Sequence, residues 1–332
     1  MKRVVLIFVL ISLISITLTS CTARVYDSDH SGLGNNSEEE AATNETEGND
    51  TADSHGTAEN EYPDSNIEEP APAKFTARMY DNVWGSANME NSRFRTVEDF
   101  HSEIDYYINV VSEFVMKEHW FEQYVGSPQI EFRLEHSGSR TEIWGRRVIV
   151  YLSKIAFEHD LAPIAHEIAH VINPTRDRTA SLDEGLAGYL HTRFGQNPTV
   201  HTFGIDAHIL AKVFFTYHAE EYNAIFAVLG TRDSRQDRYL SGDLFLRQVF
   251  YVLSESFATY LIDFYGIEEF MKLHASRDNL LDDYNDLYGK SYEEIKLEWQ
   301  SVVESSPSMT LEGYNNHLDV LFERHNWQWG IN

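Results

Sequence analysis

The sequence predicts an α+β protein in which a small mixed sheet stands beside a histidine-bearing helix, followed by a mostly helical carboxyl-terminal part. Three observations predict it. Two short runs, Gln129–Glu135 and Arg147–Leu152, have strand character. Helical spacing fills Thr96–Tyr124 and most of the chain beyond Pro198. Between them lies His166-Glu167-Ile168-Ala169-His170, set among apolar residues.

The amino terminus opens Met1-Lys2-Arg3, runs apolar from Val4 to Leu18 and reaches Leu18-Thr19-Ser20-Cys21. A basic start, a short apolar core and small residues before a cleavage point describe an export signal. The run is short for a membrane span. Leu18-Thr19-Ser20-Cys21 resembles the bacterial lipobox, whose cysteine is lipidated and becomes the first residue of the mature chain. Cys21 is the only cysteine of 332 residues, so no intramolecular disulfide can form. The alternative is an ordinary secretory signal with an incidental cysteine.

Residues 22–74 change character, being rich in Ser, Thr, Asn, Gly, Glu and Asp and nearly devoid of large apolar side chains. Such a stretch cannot bury enough surface to offset its chain entropy, so it is expected to be a disordered tether. It carries 14 acids against Arg24 and Lys74, nearly half of the net charge of −27. Glu68-Glu69-Pro70-Ala71-Pro72-Ala73 closes it as a stiffer spacer. The acidic balance leaves no Lys/Arg-rich face for phosphates and argues against nucleic acid. It equally disfavours electrostatic docking on anionic lipid, so membrane attachment would rest on the acyl chain.

The folded part begins near Phe75. Thr96, with Asp99 three residues on, is the expected cap of a long helix carrying Phe100, Ile104, Tyr107, Ile108, Val111 and Val115 on one side. Gly126-Ser127-Pro128 ends it. In Gln129–Glu135 the apolar residues Ile130, Phe132 and Leu134 alternate, as in a strand buried on one face. Val148-Ile149-Val150-Tyr151-Leu152 forms the second strand. Asp160 is expected to cap the next helix, with Pro163 in its first turn. Asn173-Pro174 stops that helix, and Ser181 or Asp183 begins another. Helical spacing then covers 203–218, 223–229, 243–265, 268–274, 292–303 and 311–325, and Trp327 and Trp329 are expected to dock the tail.

Residues four apart share one helix face, so His166 and His170 can present two imidazoles to one ion. Glu167 lies near enough to reach a water on that ion. A catalytic zinc takes three protein ligands and an open position, and Glu184 is the natural third. Thirteen residues separate it from His170, and a second short helix can fold it back onto the first. A buried Glu167 also needs a partner, which weighs against two histidines merely satisfied by carbonyls. His191 is expected to face solvent, and His201, His208, His218 and His274, scattered without ligand spacing, to be structural or superficial. Gly188 is expected to let the second helix approach the metal helix.

Leu182-Asp183-Glu184-Gly185-Leu186-Ala187-Gly188-Tyr189 resembles the W-L-x-E-G-x-A-x-Y element of gluzincin zinc peptidases, especially peptidase-MA-like proteins and the aminopeptidase-N-like branch. Ser256-Phe257-Ala258-Thr259-Tyr260-Leu261-Ile262-Asp263-Phe264-Tyr265-Gly266 is similar to the S-F-x-x-Y-L-I-x-x-Y-G segment that often follows. The resemblance runs from about Val148 to His274. It departs at Ser181, where a Trp is usual, and at Gly188, where the thermolysin branch has an Asp supporting a ligand histidine.

The resemblance implies a zincin-like catalytic subdomain over 75–200, a helical subdomain over 201–332, and a sheet edge able to pair with an extended peptide. It implies Zn²⁺ on His166, His170 and Glu184, Glu167 as general base, and a tyrosine donating to the oxyanion. Tyr251 has the branch's six-residue spacing to Phe257, although the family's Gly is missing, and Tyr260 is the rival. The implied function is a zinc metallopeptidase acting on peptides or proteins, lipid-anchored on the extracytoplasmic face of a bacterial membrane. The alternative is an inactive surface lipoprotein that keeps the fold for binding. No His-rich tract of a metal-acquisition protein is present.

Overall fold

The computed structural model describes residues 75–325, except 137, 175–178, 200, 236–238, 240–242 and 277–279, together with the backbone of Arg24–Tyr26. The expected signal, Cys21, most of the expected tether, and Trp327 and Trp329 lie outside the described residues. Among the described residues a small mixed sheet packs with twelve α-helices, so the chain is α+β and mostly helical.

Four strands, β2 (Thr76–Met79), β3 (Gln129–Glu135), β4 (Arg140–Trp144) and β5 (Arg147–Ser153), stand in the order β4-β5-β3-β2, with β1 (Arg24–Tyr26) alongside β4. β3 is parallel to both β2 and β5, while β4 is antiparallel to β5. β3 and β5 follow the expected boundaries to within a residue. Central β5 buries Val148, Ile149, Val150 and Leu152, which is why it reads as a continuous apolar run. β4 has no counterpart among the expected elements. Its buried Thr141 and Ile143 alternate with Arg140, Glu142 and Trp144, and a two-residue turn at Gly145-Arg146 returns the chain into β5. Gly145 has φ +60°, and glycine at the first position of such a turn matches the right-handed twist of the strands.

After the short α1 (Asp81–Trp84), helix α2 (Val97–Phe114) carries the expected capping box: Asp99 N–H donates to Thr96 Oγ1, and Asp99 Oδ2 accepts from Thr96 N–H. The helix stops ten residues earlier than the expected Tyr124, because Met116 turns into the left-handed region at φ +56°. A 3₁₀ turn, Trp120–Gln123, follows. A short α3 (Lys154–Glu158) leads from β5 toward the histidine-bearing helix α4 (Ile164–Ile172). Asp160 does not cap α4. It sits at φ +58° and pairs with Arg93, and Pro163 itself occupies the cap position.

Helix α5 (Ala180–Phe194) begins one residue before Ser181, the earlier of the two expected starts, with Thr179 as its cap residue. The remaining helices are α6 (Ala207–Tyr217), α7 (Ala219–Phe226), α8 (Leu244–Tyr265), α9 (Ile267–Ala275), α10 (Leu280–Tyr288), α11 (Tyr292–Ser305) and α12 (Leu311–Arg324). Of these, α10 was not expected. One buried cluster extends from Met79 to Phe322, with α4, α5 and the long α8 at its centre. Among the described residues, no helix is long and apolar enough to cross a membrane.

Candidate metal centre

All nine residues of α4 are buried, so its imidazoles are held in a fully packed element. The carbonyls at its end, which a helix leaves unpaired, are met from the 3₁₀ turn and the residue after it. Gln123 Nε2 donates to Ile172 O at 2.8 Å, and Tyr124 OH donates to Val171 O at 2.6 Å.

Helix α5 brings Glu184 onto the same point. Glu184 Oε2 lies 3.1 Å from His166 Nε2 and 3.4 Å from His170 Nε2, and the two Nε2 atoms are 3.2 Å apart. His166, Glu184 and His170 are 0 %, 2 % and 2 % exposed. Three donor atoms in a nearly equilateral triangle form the one group among the described residues able to hold a metal ion. For bonds of about 2.0–2.1 Å in a tetrahedron, adjacent donors stand about 3.3 Å apart, so the triangle has the right size for zinc. Two nitrogens and one carboxylate oxygen also suit it chemically.

Charges in the triad are coupled. Burial, and then the neighbouring His170, lower the pKa of His166 despite Glu184. At His170 burial works the same way, but Glu184, with Glu167 and Asp183 beyond, outweighs it and raises the pKa. The carboxylate thus favours one positive charge in this buried triangle, the condition a cation exploits. Asp183, next to Glu184, has His274 Nε2 of α9 at 2.7 Å from its Oδ1, so His274 is a buried structural partner.

Glu167 is wholly buried and its carboxylate has a partner from the sheet: Thr141 Oγ1 donates to Glu167 Oε2 at 2.8 Å. Strand β4 therefore orients the acid beside the two histidines.

Of the two candidate tyrosines, Tyr251 is the one near the triad. Its ring centroid is 6.3 Å from that of His166. Tyr260 OH instead donates to Glu298 Oε2 at 2.9 Å. A further imidazole enters here: His201 stacks on Tyr251 at 3.9 Å between centroids and lies 5.7 Å from His166. His201 is buried, so the expectation of a scattered structural or surface histidine misses its placement beside the triad. His191 also departs from expectation. It is buried, because residues 195–199 fold over the end of α5, and its Nε2 lies 3.0 Å from Asn197 O.

The second glycine of α5 faces a different neighbour from the one expected. A methyl at Gly188 would lie 2.7 Å from Glu255 Oε2, and one at Gly185 only 2.3 Å from Ser254 O. Both glycines let α8, not α4, approach α5. Ser181 Oγ, where the resembled family has a Trp, accepts from Gly230 N–H at 2.8 Å and ties the start of α5 to the following turn.

Glu255, at this crossing, is 2 % exposed and accepts from Thr192 Oγ1 at 2.6 Å. Burial pushes its carboxyl up from 4.5 to about 7, Thr192 opposing and Asp206 assisting. The unfolded chain loses this proton at lower pH than the folded one. Stability from this group is therefore full below pH 4.5 and declines as pH rises to about 7, by about 3 kcal/mol. Glu255→Gln should flatten that slope and raise the thermal midpoint relative to wild type more at pH 8 than at pH 5. Identical pH profiles for the two proteins would refute this assignment.

Comparison with protein-family models, curated proteins and solved structures finds no match to this chain.

Proposed function

We propose that the chain is a zinc-dependent peptidase with a zincin-like arrangement of sheet, H-E-x-x-H helix and Glu184 helix. The observation that carries this reading is the triangle of His166 Nε2, His170 Nε2 and Glu184 Oε2, closed at 3.1–3.4 Å, with Glu167 on the same helix. His166, His170 and Glu184 would hold the ion, which supplies Lewis acidity and brings the pKa of a bound water toward about 7. Glu167, steadied by Thr141, takes a proton from the attacking water and passes it to the leaving amine. Pairing of an extended peptide with a sheet edge is part of the proposal; the outer side of β4, whose Thr141 touches Glu167, is paired with β1 over Glu142–Trp144. Attachment through lipidated Cys21 on the extracytoplasmic face of a bacterial membrane completes the proposal.

The near-complete burial of the three ligands favours one other reading, an ion held for structure or recognition without turnover. Glu167 separates the two, since a purely structural site has no use for an acid there.

Purified protein should contain about one zinc per chain. His166→Ala, His170→Ala or Glu184→Ala should each abolish tight binding. Affinity should fall as pH is lowered, because the ligand imidazoles must be deprotonated to bind. Elemental analysis after dialysis decides the point: stoichiometric zinc in Glu184→Ala would remove Glu184 as a ligand. Cleavage of a mixed peptide library by wild type, lost on chelation and restored by zinc, tests the peptidase reading.

A further inference from the structure

We propose that His201 is a catalytic hydrogen-bond donor of this centre, giving its ring N–H to the scissile carbonyl oxygen of a bound peptide as that oxygen gains negative charge. The proposal rests on the peptidase reading above and extends it to a residue that no motif marks.

The geometry is specific. His201 is 3 % exposed, and neither ring nitrogen has a hydrogen-bond partner among the described residues. A buried polar group left without a partner costs about 1–3 kcal/mol, so an imidazole in this state points to a ligand. The ring is also held in place. Its face lies on Tyr251 with the planes 13° apart, and its main chain is gripped from α8, where Gln248 Nε2 donates to His201 O. His201 N–H donates to Thr199 Oγ1 at 3.2 Å, fixing the segment from the other side. With its face covered by Tyr251, the ring can offer its nitrogens only around its edge, and His166 is 5.7 Å away between centroids.

An imidazole carries at least one ring N–H in either protonation state, so His201 can donate to an oxygen acquiring negative charge. Glu167 and His201 would then divide the chemistry: one handles the proton of the attacking water, the other the carbonyl oxygen. Tyr251, stacked beneath His201, serves as its platform.

The test uses the full-length zinc-loaded protein and the phosphinic analogue of whichever library peptide the wild type cleaves. Such an analogue carries a tetrahedral anion where the scissile amide stood. His201→Phe keeps a ring to stack on Tyr251 but has no N–H. It should retain one zinc per chain, bind the analogue about 10²-fold more weakly, and lose about 10²–10³ in kcat with KM nearly unchanged. His201→Gln restores an N–H donor without the stack and should recover analogue affinity to within about tenfold of wild type. Analogue affinity within threefold of wild type in a zinc-replete His201→Phe protein would overturn the proposal. So would a His201→Gln protein as weak as His201→Phe, which would leave the stack alone responsible. If neither variant folds, the ring ¹⁵N–¹H signal of His201 in wild type decides. It should move strongly downfield on adding the analogue, and an unmoved signal rejects the donor role. A wild type that binds zinc but cleaves no peptide would overturn the peptidase reading, and this inference with it. Loss of the His201 effects alone leaves that reading standing.

Discussion

Glu167→Gln is expected to keep zinc, fold and thermal stability close to wild type, yet to lose peptide hydrolysis by about 10³–10⁴. The near-isosteric amide can still accept from Thr141 Oγ1, the contact that holds the side chain at 2.8 Å now. What it cannot do is take a proton from water. Because the acid acts only as the reaction proceeds, the loss should fall on kcat, with KM nearly unchanged. Zinc content, the melting curve and single-substrate kinetics read the three parts separately. If wild type hydrolyses peptides and Glu167→Gln does so within tenfold, the base lies elsewhere. If wild type shows no hydrolysis while holding zinc, the structural reading of the site gains.

Gly185→Ala should be among the most damaging single changes outside the ligand set. Alanine is the better helix former by about 1 kcal/mol, so on an isolated helix the change would stabilise. Here the added methyl would sit 2.3 Å from Ser254 O and 2.9 Å from Ala258 Cβ, and the first of these is backbone that no rotamer change can clear. Helices α5 and α8 must separate by about an ångström. Overpacking of this kind costs about 1–3 kcal/mol or somewhat more, and exceeds the helix-propensity gain. A net loss of about 2 kcal/mol should lower the thermal midpoint by roughly 4–8 °C. The same shift moves Glu184, the adjacent residue, so zinc affinity should drop at least tenfold. Calorimetry and zinc titration showing neither change would mean the crossing is looser than the glycine contacts imply.

The parts of this architecture legible in the sequence are those fixed by local pattern. β3 is legible because Ile130 and Phe132 alternate with more exposed residues, and β5 because its central place buries both faces. The candidate ligand pair is legible because a helix fixes the relation of His166 to His170, and Glu184 because one short connection suffices to return it. β4 escapes because it is five residues long and two of its three outward positions, Arg140 and Glu142, are charged, although Gly145 marks its turn. With β4 goes Thr141, the partner of Glu167. The end of α2 escapes because nothing in its composition announces that Met116 adopts a left-handed conformation. His201 escapes for a different reason. Its environment comes from His166 on one helix and Tyr251 on another, both far along the chain, and no spacing encodes such an encounter. The glycines of α5 were visible, but which helix they admit depends on the docking of α8.

The depth of the triad bears on time as well as on affinity. With the three candidate ligands at most 2 % exposed, an ion, and a peptide after it, enters only as the elements over the triad move apart. An ion enters most freely while α4 and α5 are still apart. Loading then belongs to the late steps of folding, and exchange is governed by how often this pair opens. A chain that matured without zinc would acquire it slowly, and one that matured with zinc would give it up slowly. Which metal the protein carries would thus reflect the ions present when it folded more than those it met afterwards.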